Sequence, residues 1–183
     1  KGIGDKRSAY EVSMRIPLLL RYPRLGVKGA VLDAMALNID LAPTLLDFAG
    51  VRIPKAMQGR SWKALLEGRA DKVRDAFLYE YFFSYGDITD FEAQTADPPI
   101  TPDIAAVRTD RAKLIKYPGR NWVELFDLAK DPYERRNVAA VPEYAALRTE
   151  MERVFQQQVR ETGYQLPPKA VSPPLDGLED WRK

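Results

Sequence analysis

The sequence predicts an α/β protein: the C-terminal end of an α/β sheet domain, followed by a small antiparallel sheet with one long helix packed on it. Three patterns indicate this class. Residues 16–22 form an apolar run closed by a proline, which is typical of a strand buried on both faces. Aromatic and alternating segments follow residue 75 and indicate antiparallel strands. Apolar residues at helical spacing over residues 142–162 indicate a long helix.

The polar stretch over residues 69–75 separates these patterns. We therefore predict a first domain over residues 1–74 and a second over residues 75–163. The Pro-rich residues 164–183 are predicted to form an extended tail.

Two helices are predicted in the first domain. Asp40 suits an N-cap, and Gly50 suits the left-handed end of a helix over residues 40–49. Residues 61–66 form a second, short helix capped by Ser61, and residues 30–38 are a candidate strand.

The second domain carries the antiparallel strands. Its segments are an aromatic strand at 77–83, a surface loop at 84–103, a hairpin of 104–108 with 113–117, and a strand at 122–128. The hairpin turn holds Asp110 and Arg111, and we interpret both, with Arg108, as turn charges; contact with an anionic substrate is the alternative. The helix at 142–162 presents one apolar stripe, formed by Tyr144, Leu147, Met151, Val154 and Phe155, and it ends at Gly163.

Composition limits the possible chemistry. The 183 residues are 45% apolar, and 28 Lys and Arg nearly balance 26 Asp and Glu. This balance gives no reason to expect nucleic-acid binding, and no apolar run is long enough for a transmembrane helix. Because the chain has no His and no Cys, catalytic triads, disulfides and His- or Cys-ligated metal centres are excluded within it.

Four segments carry a family resemblance. They are Lys6–Pro17, with a Lys four residues before Tyr10-Glu11; Asn38–Gly50; Met57–Ser61; and Val107–Ile115 with Glu124–Leu128, Asp131, Pro132, Glu134 and Asn137. In this order they resemble the C-terminal portion of the type I, formylglycine-dependent sulfatases of the alkaline-phosphatase-like superfamily.

The resemblance implies hydrolysis of a sulfate ester, of a sulfated saccharide or a similar small molecule, by a formylglycine and a calcium ion. This chain matches neither the Cys/Ser-x-Pro-x-Arg motif nor the calcium ligands of the family. We therefore expect this chain to contribute no metal ligand, and the calcium ion to be held by another part of the complete enzyme. The chain opens at Lys1 without Met, and we expect it to be inert without an N-terminal part. The family implies a periplasmic, extracellular or lysosomal location.

One site residue transfers from the family. Lys6 occupies the position of the Lys that reaches the sulfate and the bridging ester oxygen, so it is the predicted catalytic and substrate-binding residue; a solvated surface charge is the alternative. Tyr10, Glu11 and Arg15 are predicted to form a local clamp of hydrogen bonds and an ion pair that positions the Lys6 loop, because Glu11 and Arg15 stand four residues apart. Tyr85 and Phe91 are candidate substrate-rim residues, because aromatic faces stack on sugar rings, although strand packing explains the neighbouring aromatic residues equally well.

Two other functions remain open. The first is a hydrolase of phosphate mono- or diesters or of phosphonates in the same superfamily, which the residue at the upstream nucleophile position would distinguish. The second is a non-catalytic binding module that is complete as it stands.

Overall fold

The computed structural model describes residues 8–82, 103–118 and 120–165. Their packing divides into two units. The helical unit is residues 16–75, and the sheet unit joins residues 8–15 to the described residues from Ala76 onward. The predicted division into domains 1–74 and 75–163 stays a prediction, but residues 8–15 lie with the sheet unit rather than with the residues that follow them in sequence.

The sheet unit contains a four-stranded antiparallel sheet in the order β1-β2-β3-β4. The strands are β1 (Ala76–Tyr81), β2 (Ile104–Thr109), β3 (Ala112–Lys116) and β4 (Val123–Asp127). The predicted hairpin is β2-β3, in which Val107 pairs with Leu114, and Leu114 in turn pairs with Leu125 of β4. The predicted antiparallel sheet is confirmed.

One face of this sheet is covered by the predicted long helix. A turn at Pro142–Tyr144 leads into the helix Ala145–Thr162, which ends at Gly163 with a φ of 67°. Because side chains alternate along a strand, one face presents a uniform apolar set that packs on the stripe of this helix: Ala105, Val107, Ala112, Leu114 and Leu125 against Leu147, Met151 and Phe155. This is the larger core of the unit.

The opposite face is covered by residues 8–14, which we call the anchor segment. It includes a single helical turn, Glu11–Met14. Ala9 is 1% exposed and packs with Ile104, Ala106, Ile115 and Phe126. The sheet is therefore a middle layer between the long helix and the anchor segment.

The helical unit contains two short α-helices, Leu41–Phe48 and Lys63–Leu66, close to their predicted bounds, and two 3₁₀ turns, Pro23–Leu25 and Asn38–Asp40. The strand predicted at 16–22 is wrong, and so is the candidate strand at 30–38, because residues 16–75 contain no strand. A strand of the buried parallel type needs partners on both edges, and this unit offers none. Leu18, Leu19 and Leu20 are consequently 55%, 94% and 48% exposed.

None of the helices in the described residues is long and apolar enough to span a membrane.

Candidate functional site

The predicted substrate-contacting residues Lys6, Tyr85 and Phe91 lie outside the described residues, and their roles stay predictions. The structure does describe the chain that follows Lys6, from Ser8 onward. The site that can be built from the described residues is therefore the polar attachment of the anchor segment to the sheet.

Glu11 is the centre of this attachment. Its Oε1 accepts a hydrogen bond from Arg108 Nε at 2.9 Å and lies 2.8 Å from Lys113 Nζ. Arg108 is the last but one residue of β2 and Lys113 pairs with it in register on β3, so the two cations stand side by side on the face that the anchor segment covers. The Glu11 carboxylate is bound to both strands of one hairpin.

Glu134 completes the arrangement. Its Oε1 accepts a hydrogen bond from Lys113 Nζ at 2.7 Å, and its Oε2 accepts one from the backbone N–H of Glu11 at 2.7 Å. The side chains of Lys113 and Glu134 are 0% and 1% exposed. Arg108, Glu11, Lys113 and Glu134, hereafter the Glu11 cluster, form a row of alternating charges with no formal net charge.

The alternation sets the protonation state of Glu11. Burial by itself raises the pKa of this carboxyl, but hydrogen bonds and positive charge from Arg108 and Lys113 outweigh burial, and the pKa of Glu11 lies below its ordinary value. Glu11 is therefore a carboxylate at neutral pH. Since Lys113 is fully buried and Glu134 nearly so, these two groups are placed to hold the backbone rather than to meet a substrate.

A second polar contact lies beside the cluster. The hydroxyl of Tyr10 donates to the Glu124 carboxylate at 3.0 Å, and that of Tyr117 donates to the same carboxylate at 2.7 Å. Burial, followed by the nearby charge of Glu124, raises the pKa of both tyrosines. Tyr10 also packs edge-on against Phe126, with ring centroids 6.0 Å apart. Consecutive residues of the anchor segment are thus held by separate carboxylates.

Tyr10 and Glu11 both make polar contacts, as predicted, but with other partners than predicted, and their effect on the Lys6 loop stays a prediction. Glu11 was expected to pair with Arg15, four residues away, whereas its carboxylate is bound by Arg108 and Lys113. Arg108 was interpreted as a turn charge, but it lies in β2 with a side chain only 20% exposed. Local spacing cannot reveal a partner 97 residues away. The available signal was that Lys113 and Glu134 stand within the family-like segments.

In the helical unit the central residue is Asp40. It occupies the N-cap position of helix Leu41–Phe48, as predicted, but its side chain does not cap that helix. Its carboxylate instead accepts hydrogen bonds from both Nη atoms of Arg74, the backbone N–H groups of Leu37 and Arg60, and the indole N–H of Trp62. These five residues are the Asp40 cluster.

The Asp40 cluster joins two of the family-like segments. The segment 57–61 approaches so closely that a Cβ added to Gly59 would lie 1.9 Å from the carbonyl oxygen of Ile39, so only glycine fits there. Asp40 is 0% exposed. Burial raises the pKa of Asp40, but the Arg74 guanidinium and the N–H donors outweigh it and hold the pKa below its ordinary value. The Asp40 cluster therefore has a structural role.

The described residues do not fit the calcium site that the resemblance implies. Within them, no three Asp, Glu, His or Cys side chains are grouped so that they could hold a metal ion. The carboxylates of the Glu11 cluster are bound to cations of the chain itself.

Comparisons with known proteins agree on one family. A profile of the family "N-sulphoglucosamine sulphohydrolase, C-terminal" matches residues 1–161. An N-acetylglucosamine-6-O-sulfatase of Bacteroides thetaiotaomicron is 33% identical over 155 residues, which are 84% of this chain and 26% of the relative.

Two solved structures share the fold. A structure in complex with its substrate, D-glucosamine-2-N,6-O-disulfate, superposes with a TM-score of 0.74 at 32% identity, and the match covers 87% of this chain and 31% of the other. The phosphonate monoester hydrolase of Agrobacterium radiobacter superposes with a TM-score of 0.51 at 32% identity, over 67% of this chain and 24% of the other. The chain thus spans about a quarter to a third of the length of these proteins.

Proposed function

We propose that this chain, which belongs to the family of N-sulphoglucosamine sulphohydrolase C-terminal regions, forms the C-terminal part of an enzyme that hydrolyses sulfate esters of carbohydrates. The observation that carries the proposal is the attachment of the anchor segment. Residues 8–14, which follow Lys6 in its family-like segment, are fixed to the sheet by Arg108, Lys113 and Glu134, which come from the last family-like segment.

Lys6 is the residue of this chain that acts on the substrate. Sulfate ester hydrolysis leaves negative charge on the oxygen of the departing alcohol. An ammonium group placed at that oxygen stabilises the transition state more than the ground state, because the charge develops only as the S–O bond breaks. Lys6 stands two residues before Ser8, and Ser8, where the described chain begins, is 5% exposed.

The substrate class is a sulfated sugar. Its support is the relatedness to an N-acetylglucosamine-6-O-sulfatase and to a structure that binds D-glucosamine-2-N,6-O-disulfate. Tyr85 and Phe91 are the residues of this chain proposed to contact the sugar rings at the rim.

The protein partner is the N-terminal part of the same enzyme. Residues 16–20 expose several neighbouring apolar side chains, and the chain spans only 26% of the length of its sulfatase relative. The N-terminal part covers this run and supplies the formylglycine and calcium of the family. The complete enzyme acts in the periplasm, the lysosome or the extracellular space.

The test compares two forms of the protein. We expect the isolated 183-residue chain to leave an aryl sulfate and glucosamine 6-sulfate intact, and the complete enzyme to hydrolyse at least one of them. In the complete enzyme, Lys6→Ala should lower kcat/KM by about 10²-fold or more, as for a lost transition-state donor. The exposed Lys55 supplies the control, and Lys55→Ala should keep full activity. Full activity of Lys6→Ala would assign Lys6 to the surface.

A second candidate function has its own support. The likeness to a phosphonate monoester hydrolase favours phosphorus ester hydrolysis as the alternative, because a cation at the leaving oxygen serves both reactions. The same assays decide between them when phenyl phosphonate esters are included: a higher kcat/KM for the phosphonate than for every sulfate ester would replace the sulfatase proposal.

A further inference from the structure

We propose that Lys113 and Glu134 are positioning residues, which fix the anchor segment so that Lys6 is presented to the substrate. The inference rests on the proposed function. It concerns two buried side chains that do not touch the substrate themselves, and it assigns them a role in the rate of reaction rather than in the stability of the fold.

Burying the charges of Lys113 and Glu134 is costly. Lys113 and Glu134 are 0% and 1% exposed, and removing such groups from water costs about as much as their pairing returns. Apolar residues of similar size often stabilise a protein equally well or better. A stability requirement alone therefore does not explain an ion pair here, beneath an anchor segment that already packs through Ala9.

Glu134 has an unusual backbone conformation. Its φ is 53°, and among the described residues other than glycine it alone has a positive φ. This region costs a residue with a Cβ about 1 kcal/mol or more and persists where the surroundings require it. Here the conformation places both carboxylate oxygens, one on Lys113 Nζ and one on the backbone N–H of Glu11, each at 2.7 Å.

The Lys113–Glu134 pair lies on the same side of the sheet as the anchor segment. Lys113 projects from β3 on the face of the anchor segment, and the larger core with the long helix lies on the other face. Glu134 binds the backbone of the anchor segment itself. Removing the pair therefore loosens the attachment of the segment that follows Lys6 and leaves the larger core in place.

The decisive variant is the apolar replacement Lys113→Met with Glu134→Leu in the complete enzyme. It removes one charge of each sign and leaves Glu11 paired with Arg108. We expect kcat to fall about 10- to 100-fold, the effect typical of lost supporting contacts around an active-site group. KM should change by less than about threefold, and Tm should fall only slightly, because the backbone N–H of Glu11 loses its acceptor while the larger core stays in place.

A matched control is present on the other face of the same strand. Lys116 pairs with Glu152 of the long helix, and this pair does not contact the anchor segment. Lys116→Met with Glu152→Leu removes the same charges and should leave kcat within about twofold of the unmodified enzyme. Hydrogen exchange supplies the second measurement: the Lys113/Glu134 variant should lose protection in residues 8–14 only, and the control should lose none there.

The outcomes separate this inference from the proposed function. If the unmodified enzyme hydrolyses no sulfate ester, or if Lys6→Ala leaves kcat/KM unchanged, the proposed function is wrong. If Lys6→Ala lowers the rate but the Lys113/Glu134 variant keeps kcat within twofold, the positioning role is wrong. Loss of protection throughout the sheet unit would also overturn it, because the pair would then stabilise the fold. Glu134→Gln, which retains one acceptor oxygen, should give an intermediate kcat.

Discussion

The two units use buried carboxylates in different ways. In the helical unit, Asp40 is fully buried and receives hydrogen bonds from Arg74, Trp62 and two backbone N–H groups. In the sheet unit, the Glu11 carboxylate is 15% exposed and belongs to a row in which each charge has an opposite neighbour. Asp40 connects the loops of a unit without strands, whereas Glu11 attaches the anchor segment to a four-stranded sheet.

This difference follows from what else holds each unit together. The sheet unit has ladder hydrogen bonds and apolar packing on both faces of its sheet. The helical unit has two helices of eight and four residues, which are too short to be stable alone. Its loops are connected through Asp40. We therefore expect damage to Asp40 to unfold the helical unit, and damage to the Glu11 cluster to affect mainly the anchor segment.

The largest expected effect is that of Asp40→Asn. The substitution leaves the Arg74 guanidinium, which is 5% exposed, buried without a counter-charge, and breaking a buried pair in this way costs about 3–5 kcal/mol. The helical unit should unfold at a lower denaturant concentration, which the indole N–H signal of Trp62 reports by NMR, since this group donates to Asp40. The signals of the sheet unit should persist.

Asp47 supplies the control for this variant. It lies on the same helix, and its carboxylate is 37% exposed where it pairs with Lys63. Asp47→Asn should cost no more than about 1 kcal/mol. An equal loss for the two variants would mean that Asp40 does not organise the helical unit.

Acid should destabilise both the Asp40 cluster and the Glu11 cluster, by less than Asp40→Asn destabilises the helical unit. Asp40 and Glu11 have pKa values below their ordinary ones, so each contributes stability that is complete above the ordinary pKa, about 3.9 for Asp and 4.3 for Glu. That contribution is lost as the pH falls through the lowered value. Titration below pH 4 should shift the Trp62 indole signal and release the exchange protection of residues 8–14.

A variant distinguishes the two transitions. In Asp40→Asn the acid-dependent change at Trp62 should disappear, while the change in residues 8–14 should remain. A single shared transition that Asp40→Asn abolishes in both regions would contradict the view that the two carboxylates act separately.

The sheet unit was predictable because its signals are local. The β2-β3 hairpin follows from two alternating segments around a polar turn, and the long helix follows from the spacing of Leu147, Met151 and Phe155 together with Gly163. Both were found within a few residues of their predicted bounds.

The polar clusters were only partly predictable because their contacts are non-local. Glu11 meets Arg108 across 97 positions and Asp40 meets Arg74 across 34, distances at which no periodicity operates. A carboxylate before a helix has an ordinary capping role, so the sequence alone favoured that role for Asp40. The error at residues 16–22 has another cause. The pattern indicates a buried strand, but such a strand needs neighbouring strands to pair with, and residues 16–75 contain none.

The smallest expected change in stability comes from that exposed run. Leu19 is 94% exposed, so Leu19→Glu in this chain should alter the free energy of unfolding by less than about 0.5 kcal/mol. It should reduce binding of the dye ANS, because an exposed apolar run loses its centre. Leu65→Glu is the contrasting control, since Leu65 is 9% exposed and a buried charge there should unfold the helical unit.

A loss above about 1 kcal/mol for Leu19→Glu would show that the helical unit packs on Leu19 itself. If Leu19→Glu instead keeps the stability of this chain but lowers that of the complete enzyme, the run is a contact surface for the N-terminal part. The two units then differ because only the sheet unit has its apolar faces covered by its own residues.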